Sequence, residues 1–345
     1  MALRHTLILI IGLAFFTGIA SLDYVLAMAM DSMRPLALMW LFVPVPIVFL
    51  LVFLRSPQRR HLKLASASYL GVTPVITLAV VLGVAWIGSG RALHPAECES
   101  LPSLDEYPQL QSAIENVQFD SGDGTRLSGW FIPGQTPKTV LLLHGYRCNR
   151  YEMLPHADML HEAGYSLLLF DFRNRGESGG DAVTLGYHER GDVLGAIDYL
   201  KTRPDVDMSG FGVLGISQGG ATAILASAET QDITAVASEA PFRSLNSVIS
   251  QSFEHFIGLP AFPFAPLTVW MAERRVGISS EEIVPEREVA AISPRPILIM
   301  HGLDDTTVSP ADGEAVYRAA KEPKELWLMP GVTHGDGAEA APEEY

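Results

Sequence analysis

Three apolar runs open the chain, at residues 6–30, 35–54 and 69–88. Thr6–Leu22 carries no charge, and the first run continues past Asp23 to Met30. Each run approaches the roughly 20 residues that a helix needs to cross a bilayer. Pro44, Pro46 and Pro74 fall inside the second and third runs. They are tolerable there, because neighbouring spans re-satisfy the backbone that a kink frees. An all-α anchor of about three transmembrane helices over residues 1–90 is the expectation. Arg4 and His5 ahead of the first run, with the small residues Ala27 and Ala29 near its end, would also suit a cleaved signal peptide. Cleavage would leave the later two spans in place.

From Val117 the rhythm changes. Val117–Asp120 and Arg126–Ile132 flank the turn cluster Ser121-Gly122-Asp123-Gly124 and read as a hairpin. Short unbroken apolar runs follow at Thr139–Leu143, Ser166–Phe170, Gly210–Leu214, Thr234–Ala237, Pro296–Met300 and Glu325–Met329. Runs of this kind suit strands buried on both faces of a parallel sheet. Between them, Tyr151–Ala163, His188–Thr202, Ala221–Glu229 and Pro310–Ala320 have the three-to-four spacing of helices. The alternation predicts an α/β fold with a doubly wound, mostly parallel sheet over residues 117–345. Residues 91–116 read as a linker or stem. Residues 241–291 interrupt the alternation as a small cap-like insertion. Its Phe253, Phe256, Phe262 and Phe264, with Trp270, would either line an apolar pocket or simply pack.

Charge separates the two parts. The 345 residues hold 24 Lys and Arg against 39 Asp and Glu, a net charge of −15, yet the chain is hydrophobic on average. Residues 1–90 carry six basic and two acidic residues, +4, and the remainder 18 and 37, −19. A domain so acidic repels phosphate backbones, which argues against a nucleic-acid partner. Arg55, Arg59, Arg60 and Lys63 crowd the link between the second and third runs and mark it as cytoplasmic. The expected protein is therefore multi-pass in the plasma (inner) membrane, with residue 91 onward on the extracytoplasmic face. Asp23 is an intramembrane acid or lies at the interface. Two cysteines exclude a disulfide scaffold and a cysteine-based zinc cluster, while an oxidising exterior would permit a Cys98–Cys148 disulfide.

The pattern G-x-S-x-G occurs twice, around Ser217 and around Ser178. Only Ser217 follows a strand directly and opens a helix, the strand–turn–helix that a nucleophile elbow requires, with Gly215 and Gly219 relieving the crowded turn. Ser178 sits in a glycine-rich loop. A serine hydroxyl needs a base oriented by a carboxylate. His334 follows the last strand, and Asp304 and Asp305 follow the strand before it, in the chain order Ser, acid, His. The oxyanion of a tetrahedral intermediate calls for fixed backbone donors. Those of Gln218 and Tyr146 are the candidates, and His144 is expected to brace the loop.

Together these segments resemble the α/β-hydrolase superfamily over residues 117–345. They are Leu143-His144-Gly145-Tyr146, Asp171 to Ser178, the Ser217 elbow, His301-Gly302-x-x-Asp305-x-x-Val308 and Gly331-x-x-His334. The chain looks like the serine-aminopeptidase-like and membrane-anchored esterase-like branches. The resemblance implies that the acid is Asp305, four residues after His301, and leaves Asp304 an exposed carboxylate. It implies acyl-ester cleavage through an acyl-enzyme, on a small-molecule ester, lipid or peptide, with no metal or organic cofactor. A peptidase using the same residues is the alternative, and would need an acid such as Glu239, Glu254 or Glu273 to hold a free amino terminus. A catalytically silent, membrane-tethered binding module is the other. Family members carry a last helix after the histidine loop, and Ala341–Tyr345 looks like its beginning. Without that helix an apolar sheet face would be exposed.

Overall fold

The computed structural model describes residues 60–98 and 100–345, so the apolar runs at 6–30 and 35–54, with Arg55 and Arg59, lie outside the described residues. The third run lies within one helix, α1 (Arg60–Leu93), with Pro74 inside it. Arg60 and Lys63, expected in a loop, occupy its first turn, as good helix formers can. The 23 residues Gly71–Leu93 are long and apolar enough to cross a membrane. They rise about 34 Å against a hydrocarbon core of about 30 Å. Val75, Leu78, Trp86 and Ile87 are exposed along this helix.

The described residues divide into two compact units. In the first, 60–87 with Ser252–Thr268, Phe253 is buried and stacks on Phe264 at 6.1 Å, whereas Phe256 and Phe262 are exposed. The second, Gly88–Gln251 with Val269–Tyr345, holds the sheet.

That sheet has eight strands in the order β1-β2-β4-β3-β5-β6-β7-β8. They are β1 (Glu115–Asp120), β2 (Arg126–Ile132), β3 (Thr139–Leu143), β4 (Ser166–Phe170), β5 (Phe211–Ile216), β6 (Ile233–Glu239), β7 (Ile297–Gly302) and β8 (Lys324–Met329). β2 pairs antiparallel with β1 and β4; every other pairing is parallel. The longer helices between strands are α2 (Leu154–Glu162), α3 (Glu189–Leu200), α4 (Gln218–Glu229), α5 (Leu245–Ser252), α6 (Ala261–Val276) and α7 (Pro310–Ala319).

The unbroken apolar runs are explained by two cores, one on each face. Leu141, Leu143, Leu168 and Phe170 pack with Val193 and Ile197 of α3 and Ile224 of α4. Their neighbours Leu142, Leu167 and Leu169 point the other way, against Leu154 and Ala157 of α2. Successive strand residues face opposite sides, so both sets must be apolar. β8 is the exception, with only Met329 buried. A four-residue helix, Gly337–Ala340, follows the histidine loop, and Tyr345 packs onto Trp327.

Candidate active site

Parallel pairing brings the carboxyl ends of the central strands level. Leu143 of β3 pairs with Gly215 of β5, which pairs with Ser238 of β6. Ser217 follows β5 directly, with φ 55° and ψ −115°. That backbone costs a non-glycine residue roughly 1–3 kcal/mol and persists only where its surroundings impose it. Here the Ser217 N–H donates to Glu239 O at 2.8 Å, and Ser217 O accepts from Ala221 N–H at 2.9 Å. The flanking glycines allow the close approach: a Cβ on Gly215 would lie 2.3 Å from the Gly219 carbonyl, and one on Gly219 2.1 Å from the Leu143 oxygen.

His334 and Asp305 reach the same point from β8 and β7. His334 Nε2 lies 2.9 Å from Ser217 Oγ, and its Nδ1 lies 2.7 Å from Asp305 Oδ2. A carboxylate only accepts, so Nδ1 carries the proton and Nε2 faces the serine hydroxyl with its lone pair. Asp305 Oδ1 accepts from Thr307 and Val308 N–H, at 2.8 and 2.9 Å. Burial alone would raise this carboxyl. The bonds from His301 and His334 and the Val308 N–H outweigh it and hold Asp305 well below the usual carboxylate range. Asp304 is exposed, with its N–H on Val332 O.

Tyr146 stands two residues beyond His144, and Gln218 opens α4. Among the described residues neither N–H has a protein acceptor. The Gln218 donor also sits at the positive end of the α4 dipole. His144 is buried: its Nδ1–H donates to Gly145 O at 2.7 Å, and its Nε2 accepts from Phe172 N–H at 2.9 Å. The ring therefore ties the β3 loop to the β4 loop. Ser178 is likewise a structural link, donating to Asp171 O at 2.6 Å and accepting from Ser128 N–H at 2.9 Å.

His144 supplies a pH prediction. Burial, helped by the charges of Arg175 and Arg150 and opposed by the Gly145 bond, pushes its imidazole down to about 4. An unfolded histidine titrates near about 6.5. Between those values the unfolded chain binds a proton that the folded chain refuses, so stability rises with pH across that window. We expect acidification from about pH 6.5 to 4 to remove the His144 contribution, at about 1.4 kcal/mol per pH unit. Denaturant titrations should show a shallower slope for His144→Gln over that range; equal slopes would contradict the assignment.

A family model described as the prolyl oligopeptidase family matches residues 155–341, more than half of the chain. The chain belongs to this family. It is 30% identical over 232 residues to protein YfhR of Escherichia coli O157:H7, covering 65% of this chain and 74% of that one. Over 269 residues it is 30% identical to protein Rv2307c of Mycobacterium tuberculosis (strain ATCC 25618 / H37Rv), covering 75% and 88%. Among solved structures it is similar to the Pyrococcus furiosus esterase Pf2001, at 27% identity and TM-score 0.60, covering 73% of this chain and 94% of that one. Family and fold make the chain an α/β-hydrolase of the serine-hydrolase type.

Further groups of this prolyl oligopeptidase family member surround the three residues. His301 Nε2 lies 3.2 Å from Asp305 Oδ2 and 3.0 Å from Val308 O, bracing the acid from behind. Glu239, at the end of β6, is buried and engaged. It accepts from Tyr345 Oη at 2.7 Å and Gly337 N–H at 2.9 Å, with His156 Nε2 3.9 Å away. Burial raises this carboxyl, but His156, Tyr345 and Gly337 bring it below its ordinary value. The histidine loop is thus anchored beneath the elbow. Glu273 accepts from Ser280 N–H at 2.8 Å, and Glu254 is exposed in the other unit. Trp270 is exposed, with Arg274 over its ring at 5.2 Å. Glu152 holds the Gly145 N–H, and burial pushes its carboxyl up against that bond. No local pattern marks the Glu239 contacts, because Gly337 and Tyr345 lie 98 and 106 residues further along the chain.

Cys98 and Cys148 form a disulfide, with Cα atoms 5.0 Å apart. Among the described residues one group of three potential metal ligands lies together, these two cysteines and Glu152, within 4.8 Å of one another. The disulfide occupies both sulfurs.

Proposed function

We propose that the chain is a membrane-anchored esterase working through a Ser217–His334–Asp305 triad and an acyl-enzyme. The observation that carries this reading is the hydrogen-bonded path from Ser217 Oγ through His334 to Asp305, at 2.9 and 2.7 Å. Ser217 Oγ attacks the ester carbonyl carbon as its proton passes to His334 Nε2. The carbonyl oxygen gains negative charge and meets the Tyr146 and Gln218 N–H groups. Collapse of this intermediate expels the alcohol, which takes the proton back from His334 and leaves acylated Ser217. Water repeats the sequence and releases the carboxylic acid. Asp305 stays ionised throughout and stabilises the imidazolium. These steps call on no metal or organic cofactor.

An ester is favoured because Glu239 is already committed beneath the elbow and Glu273 to Ser280, leaving neither free to hold a peptide amino terminus. The kinship with prolyl oligopeptidases favours a second reading, cleavage of small peptides by the same triad. The anchor is residues 1–90, multi-pass in the plasma (inner) membrane, with 91–116 as stem and 117–345 as an extracytoplasmic hydrolase domain. Helix α1 supports the anchor, and the disulfide supports the oxidising side. The acidity of the domain disfavours nucleic acid as a partner.

The test uses full-length protein in detergent, given p-nitrophenyl esters of rising acyl length and aminoacyl p-nitroanilides. We expect kcat/KM for the best ester to exceed that for any anilide by at least about tenfold, a difference of about 1.4 kcal/mol in barrier. The reverse order selects the peptidase. Absence of both turnover and fluorophosphonate labelling at Ser217 selects a silent binding module.

A further inference from the structure

The stem is tied to the oxyanion side of the site, residue by residue. Tyr146 Oη lies 2.7 Å from Ala92 O and 3.2 Å from Arg91 O, two carbonyls in the last turn of α1. Such terminal carbonyls have no partner within their own helix. Arg147 Nε donates to Ala96 O at 3.1 Å and its Nη2 to Glu97 O at 3.2 Å, while Arg147 O accepts from Cys98 N–H at 3.2 Å. Cys148 is bonded covalently to Cys98. From the far side, Arg175 Nη1 donates to Pro95 O at 3.2 Å, and Val183 N–H to Leu93 O at 2.9 Å. Three successive loop residues, 146, 147 and 148, are each held by the segment 91–98. The first of them carries the backbone N–H assigned to the oxyanion.

We propose that residues 91–98 are a positioning clamp for the oxyanion hole. Tyr146 Oη and the Cys98–Cys148 disulfide fix where the Tyr146 N–H points. The proposal rests on the esterase reading above. Its physical basis is that a donor aimed at developing charge acts only if it is already in place, and losing one such donor costs about 10²–10³ in kcat. Groups that only steady the donor should cost less, and should act on kcat rather than KM because the charge exists only in the transition state. A dithiol reductant would release the loop: it supplies two electrons and two protons, the sulfur–sulfur bond breaks into two thiols, and the reductant closes to its own disulfide.

The experiment measures kcat and KM for the best p-nitrophenyl ester with full-length protein in detergent. The arms are oxidised wild type, wild type reduced with dithiothreitol, and oxidised Tyr146→Phe, which keeps the backbone N–H and the disulfide. Thiol titration and melting temperature accompany each arm. We expect kcat to fall at least about tenfold in both altered arms, with KM within about twofold. Tyr146→Phe turning over within twofold of wild type overturns the clamp, as does reduced protein that keeps both its melting temperature and its kcat. Should reduction unfold the protein, Tyr146→Phe decides alone. Oxidised wild type that neither turns over esters nor labels at Ser217 overturns the esterase reading, and the clamp with it.

Discussion

Ser217→Ala is expected to remove ester turnover, lowering kcat by about a million-fold and leaving only what binding and the oxyanion donors contribute. The loss is this large because in the proposed triad Ser217 and His334, 2.9 Å apart, act as one unit. Without the hydroxyl, His334 has no proton to accept. The fold should survive, since the elbow is held by backbone bonds from Ser217 N–H to Glu239 O and from Ala221 N–H to Ser217 O. Single-turnover assays and fluorophosphonate labelling, beside an unchanged melting temperature, are the measurements. Turnover retained by a folded Ser217→Ala would sink the triad.

Asp305→Asn should lower kcat by about 10⁴-fold. The reason lies in the contacts of the carboxyl. Oδ1 accepts two N–H bonds, from Thr307 and Val308, so the asparagine oxygen must take that side. Its NH₂ then faces His334 Nδ1, which has to accept rather than donate. The imidazole proton moves to Nε2 and points at Ser217, where a lone pair is needed. Asp304→Asn, at an exposed carboxylate, should leave kcat within about twofold, because exposed substitutions away from special features have small effects. The pair of variants tests the choice between adjacent acids. Equal losses would mean that the assignment of Asp305 is wrong.

Much of this site was legible because parallel strands buried on both faces write themselves as unbroken apolar runs. The residues that follow them then become the active-site edge. Ser217, His334 and the adjacent acids Asp304 and Asp305 were found by counting from such runs, and the structure brings Ser217, His334 and Asp305 within hydrogen-bonding reach. Strand boundaries were less clear. β5 extends through Ile216, up to Ser217, and β1 begins at Glu115, because its half-exposed, polar residues do not stand out as a run. The choice of Asp305 over Asp304 came from a motif, whereas its physical reason is the bracket made by His301, Thr307 and Val308.

By itself, the sequence determined the acidic α/β domain, the apolar helix before it, and the chain order of the residues proposed as nucleophile, acid and base. All of these follow from local periodicity and from residues at strand ends. Only the tertiary structure decided which distant groups meet. The Cys98–Cys148 bridge spans 50 residues and the Tyr345–Glu239 bond 106. Contacts at such separations leave no local pattern, since each partner is chosen by where the folded sheet carries it. The segment that read as a linker is for the same reason bonded to residues 146–148. Nothing in residues 91–98 announces these partners, and only folding places their carbonyls against Tyr146 and Arg147.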